Sequence, residues 1–370
     1  MRDPVVDLRE IARLLDRHGG QTRRAQAFRR AAATLAALDP AERADVDRRR
    51  AWGNLPGIGA TTTKVVAESH AGRVPAYLAE LQAADGPLVD GPNPLLAHIR
   101  GDLHTHTEWS DGSSPLEEMA LEARRLGRDW LAITDHSPRL RVANGLDTER
   151  RHRQREHIAA LNEALGGFRV LAGAEVDILD DGSLDGEAAA LDPLDVVVAS
   201  VHSKLRMDAD AMTVRMVTAI ANPRTNVLGH CTGRLVAGDR GVRPQSTFDA
   251  EVVFEACRQF GVAVEINSRP ERQDPPDDLL ALAAEMGCLF AIDTDAHAPG
   301  QLGFSEYGAA RAASVGLTPD RIVTCWDADR VVAWAAGGNP SANRGGVACS
   351  RAARMAFESM AGPRRAPACP

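Results

Sequence analysis

Lysine is nearly absent from this chain. Only Lys64 and Lys204 occur in 370 residues, so arginine carries almost all the positive charge. Chemistry that needs a lysine amine, such as a Schiff base, has two places to reside. Cysteine is sparse as well: Cys231, Cys257, Cys288, Cys325, Cys349 and Cys369 are scattered, with no CxxC pair. That pattern gives no disulfide framework and fits a reducing cytoplasm. No apolar run approaches the roughly 18 residues of a membrane span. The opening stretch MRDPVVDLREIARLL lacks the apolar core of a signal peptide. A cytoplasmic protein without a membrane partner is expected.

What is present is ordinary globular composition, 44% hydrophobic and 25% charged, in a chain long enough for one large domain and a small one. The whole carries a net charge of −8, yet residues 1–85 are slightly basic. The front therefore suits an anionic partner and the back suits cations. Residues 8–38 show helical spacing, interrupted at Gly19-Gly20. In NLPGIGATTTKVV, Gly57-Ile58-Gly59 predicts a tight turn between two short helices. Residues 85–99, DGPLVDGPNPLLAHI, hold three prolines and two glycines and read as a linker. The predicted organisation is a helical domain over 1–84, a linker over 85–99 and a large domain over 100–337. Residues 338–370 are rich in Gly, Ala, Pro and Arg. They read as a disordered tail, with RAARMAFESMA able to form a short helix.

From residue 100 short apolar runs alternate with helical stretches: GDLH, WLAITDH, VLAGAEVDI, DVVVASVH, NVLGH, VAVEIN and LFAIDTDAH. Seven such runs predict an α/β parallel sheet or barrel covered by helices. Nearly every run ends on a residue able to bind metal. These are His104 and His106, then His136, Glu175, His202 and His230, and finally Asp295 with His297. The sixth run ends instead in Glu265-Ile266-Asn267. A lone histidine after a strand is usually packed or capped. Six at one rim of an α/β fold, where sites are built, are not independent accidents. His104 and His106, two residues apart on a strand, face the same way. Imidazole and carboxylate ligands suit Zn, Mn or Fe rather than a thiolate site. More than seven ligands exceed the coordination of one ion, so two or three divalent metal ions are expected.

The set HxH…SDG, TDH, GxE, SVHS, GHxTGR, EIN and TDAH resembles the PHP (polymerase and histidinol phosphatase) family over about residues 100–326. The resemblance implies a distorted (β/α)7 barrel, TIM-like, with a trinuclear metal site. By position it implies nine ligands: His104, His106, Asp111, His136, Glu175, His202, His230, Asp295 and His297. Glu175 would bridge two ions, and Asp111, His136 and His297 would hold the third. Asp102, Glu108, Asp177 and Asp293 are read as supports for the ligands or as solvated charges. Residues 6–82 resemble the N-terminal helix-hairpin-helix domain of bacterial family-X DNA polymerases, whose PHP domains match these motifs best. The polymerase palm of that family has no counterpart between the two parts, so no polymerase activity is expected. No lysine precedes Lys64 in the front domain, which speaks against lyase chemistry.

The expected activity is metal-dependent hydrolysis of a phosphate ester, with DNA as partner. A 3′-5′ exonuclease or 3′-end processing enzyme leads. A small-molecule phosphatase of histidinol-phosphatase type is the alternative, and a non-catalytic DNA-binding protein a third. Fixed cations and donors for the phosphate are sought in Lys204, Arg234, Asn267 and Arg269, with Arg272 behind them. For DNA, the backbone N–H groups at Gly57 and Gly59 can hold a phosphate without reading bases. Lys64, Arg29 and Arg30, with Arg23 and Arg24, are candidates for added contacts.

Overall fold

The computed structural model describes residues 2–19, 21–238 and 241–337. The expected tail at 338–370 lies outside these residues. The front is helical: α1 (Pro4–His18), α2 (Thr22–Ala36), α3 (Pro40–Arg49), α4 (Ala60–His70) and α5 (Ala76–Ala84). Local sequence sets the helix starts. The Asp3 carboxylate caps α1 at the Val5 N–H, with Pro4 in the first turn. Asp39 and Glu42 form a reciprocal capping box on α3. One apolar cluster joins these helices through Leu8, Ile11, Leu15, Phe28, Leu35 and Val66. The hairpin is shorter than expected on its first side. A single 3-10 turn, Trp52–Asn54, stands where a short helix was predicted. Gly57 then takes φ +76, and α4 begins directly after Gly59.

The back alternates helix and strand: α6 (Leu116–Arg125), β1 (Trp130–Ile133), α7 (Thr148–Leu165), β2 (Arg169–Asp177), α8 (Ala188–Leu191), β3 (Val196–Ser200), α9 (Ala209–Ile220), β4 (Val227–Leu228), α10 (Ala250–Phe260), β5 (Ala263–Asn267), α11 (Asp277–Glu285), β6 (Phe290–Asp293), α12 (Ser305–Ser314) and α13 (Ala328–Ala335). The six strands pair in chain order, all parallel.

Seven strands were predicted, and six form among the described residues. The missing one is GDLH. Its segment still lies between β1 and β6 and closes the ring. The Ala132 N–H donates to the Asp102 carbonyl (2.9 Å) and the Thr134 N–H to the Thr105 carbonyl (2.8 Å), while the His106 N–H donates to the Ala296 carbonyl (2.8 Å). Side-chain carboxylates interrupt the ladder. Asp293 accepts from the Leu103 N–H at 2.8 Å, and Asp102 accepts from the His104 N–H at 3.0 Å and from the Thr294 N–H at 3.2 Å. With carboxylates in place of backbone carbonyls, the seventh stave is irregular. The result is a distorted α/β barrel preceded by a small all-α domain.

Alternation along each strand divides the core. Leu131, Ile133, Val170, Val264 and Ile292 face outward into one large cluster beneath the helices. Trp130, Ala132, Leu171, Val196, Val198, Ala263 and Ala291 join a second cluster inside the barrel, closed below by Trp326, Val331 and Trp334. The same inward parity continued upward brings Glu175 and Glu265 to the C-terminal end, both fully enclosed.

Candidate metal centre

Each site residue sits at or just beyond a strand end, which is why one rim gathers them. Glu175 lies on β2 and projects into the centre of the group. His136 follows β1, His202 follows β3, His230 follows β4, and Asp295 and His297 follow β6. His104 and His106 come from the irregular stave. Asp111 comes from the turn after it. Asp295 adopts φ 50, a left-handed conformation that Asp tolerates better than most residues.

Glu175 touches five imidazoles. Its Oε2 lies 3.3 Å from His104 Nε2, 3.6 Å from His106 Nε2 and 2.9 Å from His136 Nδ1. Its Oε1 lies 3.2 Å from His202 Nε2 and 2.9 Å from His230 Nε2. Asp111 Oδ1 is 3.5 Å from His136 Nε2 and 3.4 Å from His297 Nε2. Asp295 Oδ1 is 3.5 Å from both His106 Nε2 and His297 Nδ1. All nine residues expected as ligands fall in one contiguous cluster. Four overlapping sets have ligand atoms within 4.8 Å of one another: His106, Asp111, His136 and His297; His104, His106 and Glu175; His104, His230 and Asp295; His136, Glu175 and His202.

The donor set fits divalent cations. His104 Nε2, both ring nitrogens of His106, His136 Nδ1 and Glu175 Oε2 are buried, and none of them makes a well-aligned hydrogen bond despite the short approaches among them. Polar atoms left without aligned partners in the interior are costly, and ligand atoms gathered as closely as in these four sets fit cations. Side chains behind the cluster orient the rings. His104 Nδ1 is 2.5 Å from Glu265 Oε1, and His202 Nδ1 meets Asp177. A proton held on Nδ1 by a carboxylate leaves the Nε2 lone pair facing the cluster. His297 Nδ1 donates to the Asp295 carbonyl at 2.8 Å. The 3.1 Å approach of the Arg269 guanidinium to that nitrogen cannot then be a second hydrogen bond. Arg269 donates to the Asp295 carbonyl at 3.2 Å instead.

Electrostatics divide the rings. Burial works against the charge on His104, but Glu175 and Glu265 outweigh it and hold the ring well above the ordinary histidine range. His202 is likewise raised, to about 9, by Glu175 and Asp177 against burial. His106 is lowered to about 4 by burial and by the neighbouring His297 and His136. Burial pushes Glu175 upward, yet His104, His202 and His136 hold it well below the carboxylate range. Asp295 is held low in the same way by Arg272 and Arg269. In the metal-free cluster the raised rings of His104 and His202 face ionised carboxylates, and cations can take the place of their protons.

The phosphate candidates scatter. Lys204 points into solvent and pairs with Asp180 at 2.5 Å, away from the cluster. Arg234 is committed to the backbone, donating to the carbonyls of Arg272 (3.1 Å) and Gln273. Asn267 is buried and donates to Glu265 (3.2 Å) and Asp295 (3.3 Å). Arg269 lies beside Asp295 and His297. Arg272 is buried, with Nε 3.0 Å from Asp295 Oδ2. The Lys204 charge is thus met by Asp180 at the surface.

Two supports were not foreseen. The sixth strand read as lacking a ligand, yet Glu265 holds both His104 and, through its other oxygen, the His230 N–H. Its parity with Asn267 was the available signal. Asp135, beside His136, accepts from the Thr107 N–H (2.8 Å), the Thr107 hydroxyl (2.6 Å), the Ser110 hydroxyl (2.5 Å) and Gln154 (2.5 Å). It fixes the turn that delivers Asp111.

Among the DNA candidates, Gly57 and Gly59 lie in the hairpin turn, Lys64 on α4 just after it, and Arg30 on α2 beside Gly57. The Arg30 Cβ lies 3.8 Å from where a Gly57 Cβ would be, and both cationic side chains are exposed. Arg29 departs from expectation. It turns inward to Asp16 with its side chain 10% exposed, because α2 places it against α1. Arg23 is exposed, and Arg24 stacks over Tyr77.

Residues 102–269 match the PHP domain, and residues 3–73 match a helix-hairpin-helix domain. A probable phosphatase of Thermoanaerobacter sp. is 30% identical over 233 residues, 60% of this chain and 89% of that protein. The chain belongs to the PHP domain family. As a PHP protein it is a metal-dependent phosphoesterase. The DNA polymerase/3′-5′ exonuclease PolX of Bacillus subtilis is 41% identical over 202 residues, 55% of this chain. The PHP chain spans only 35% of that longer relative. A solved histidinol phosphate phosphatase from Lactococcus lactis, complexed with zinc, L-histidinol and phosphate, superposes with TM-score 0.45 at 19% identity, covering 60% of this chain and 95% of that one.

Proposed function

We propose that this protein hydrolyses phosphodiester bonds at the 3′ end of DNA, as a 3′-5′ exonuclease or 3′-end processing enzyme. The observation that carries this reading is the pairing, in one chain, of a helix-hairpin-helix domain with a PHP barrel whose rim gathers nine ligand-type residues. The similarity to PolX supports it.

In this reading His104, His106, Glu175, His202, His230 and Asp295 hold one pair of ions, and Asp111, His136 and His297 hold a third. Zn, Mn or Fe suits these ligands. Divalent ions held there supply charge that polarises a phosphate ester and makes water more acidic. Glu265 and Asp177 keep the lone pairs of His104 and His202 aimed inward. Arg272 and Arg269 keep Asp295 ionised. Arg269, at the cluster edge, is the best placed of the candidate cations to meet a phosphate oxygen. The hairpin amides at Gly57 and Gly59, with Arg30 and Lys64, grip a DNA phosphate without reading sequence.

A small-molecule phosphatase is the second reading. It is favoured by relatives described as probable phosphatases, nearly the whole length of which this chain covers. The test incubates Mn- or Zn-loaded protein with labelled single-stranded DNA and, in parallel, histidinol phosphate. Stepwise shortening from the 3′ end supports the first reading. Intact DNA beside rapid release of inorganic phosphate supports the second.

A further inference from the structure

The helical domain does not merely hang from the barrel. α1 lies against the turn Pro299–Phe304, and Gly300 makes that approach possible. A Cβ on Gly300 would collide with the Arg13 carbonyl oxygen and come within 2.9 Å of the Arg17 N–H nitrogen. A Cβ on Gly303 would collide with the Arg17 guanidinium. Arg17 reaches across to Glu306 (2.7 Å) and back to Asp85 (3.1 Å) and the Gly86 carbonyl (3.0 Å). Glu306 also accepts from the Leu88 N–H at 2.8 Å. Arg9 meets Glu118 on α6 at 2.8 Å. The segment expected to be a loose linker is thereby pinned at both partners.

The turn that α1 covers begins two residues after His297. Within it, Gln301 accepts the His297 N–H at 2.7 Å. The His297 carbonyl accepts both the N–H and the hydroxyl of Ser113, each at 2.8 Å. Ser113 lies two residues from Asp111. A continuous path thus runs from α1 through Gly300 and Gln301 to His297, and on to the Asp111 turn. None of these contacts touches Glu175, His104, His202 or His230; the link onward is from His297 Nδ1 to the Asp295 backbone carbonyl.

We infer that α1 is a positioning element for the Asp111–His136–His297 ion: docking of the helical domain shapes the last third of the metal site and leaves the rest unaffected. Gly300, Arg17 and Gln301 are the positioning residues. The inference rests on the metal reading of these three ligands. Domain seating then governs how completely the barrel is loaded, so events on the helical domain reach the site through α1.

The test titrates full-length protein with Mn²⁺, followed by electron paramagnetic resonance, in wild type, Gly300→Ala, Arg17→Met, Asp111→Ala and His104→Ala. Gly300→Ala and Arg17→Met should weaken one class of site by about 10-fold or more, the range for supports behind a ligand. That class should be the one missing in Asp111→Ala, and the others should stay within about twofold of wild type. General loosening would instead weaken all classes together. Unchanged binding in a folded Arg17→Met protein, or uniform weakening, overturns the inference. Arg17→Met keeps the question open to measurement if Gly300→Ala fails to fold. Wild-type binding no stronger than that of His104→Ala would overturn the underlying metal reading itself.

Discussion

Glu265 sits behind the cluster with one oxygen on His104 and the other on the His230 N–H. Glu265→Gln keeps the shape and removes the charge that holds the His104 proton in place. Metal affinity should fall 10- to 100-fold by equilibrium dialysis, whereas Lys204→Ala should leave it unchanged. Protons compete with the ions. His104 is raised above the ordinary range and His202 to about 9, so both are protonated in the metal-free protein at neutral pH. Loading must release protons, and affinity should rise with pH from about 6 to 9. Calorimetry in buffers of different ionisation enthalpy reads the protons released, and no release would contradict the assignment. Arg29 bears on stability. Burial pushes Asp16 up to about 6, against the pull of Arg29. Arg29→Ala leaves an unpaired buried carboxylate and should cost roughly 3 kcal/mol at pH 8. A raised carboxylate is stabilising when protonated, and that benefit is lost as pH rises from about 4 through 6. The cost should therefore shrink at pH 4 in urea denaturation. At this scale the sequence displayed the ligands clearly, because His, Asp and Glu at strand ends are chemically conspicuous. It did not display which arginines are free. Arg29 and Arg234 look like Arg30 in the sequence and differ only in what the fold places beside them.

Elements explain why the ligands converge. β2 is covered on both sides, and its inward parity runs Leu171, Gly173, Glu175, from apolar floor to polar rim. Gly229 shows how tightly β3 and β4 approach. A Cβ there would collide with the Ser200 hydroxyl and lie 2.8 Å from Val198 Cγ1. Gly229→Ala should push β4 away, displace the adjacent His230 and lower both melting temperature and metal content. An unchanged protein would show that β4 is free to shift. The helices and strands were readable from periodicity. The seventh stave was not, because its identity as a strand depends on carbonyl pairing, and the carboxylates of its own Asp102 and of the distant Asp293 take the place of carbonyls there. The first half of the hairpin was overread for the opposite reason: the tight turn was visible, but a single 3-10 turn suffices to enter it.

On the scale of the whole molecule, a slightly basic helical front is docked on an acidic barrel. If the hairpin face grips DNA, oligonucleotide binding should weaken steeply as salt rises from about 50 to 200 mM. Arg30→Ala with Lys64→Ala should flatten that slope and leave metal content intact, and salt-insensitive binding would remove DNA as the partner of this face. The split into a helical front and an α/β back was legible from composition and the change of period near residue 100. The docking between them was not, since it depends on one glycine, Gly300, where α1 backbone meets the turn.

The most direct test of the central claim is the rate of nucleotide release from labelled single-stranded DNA by metal-replete His104→Ala and Glu175→Ala proteins beside wild type. The metal cluster as the reacting centre predicts activity in the wild type and its loss in both variants. Full activity in either variant would contradict it.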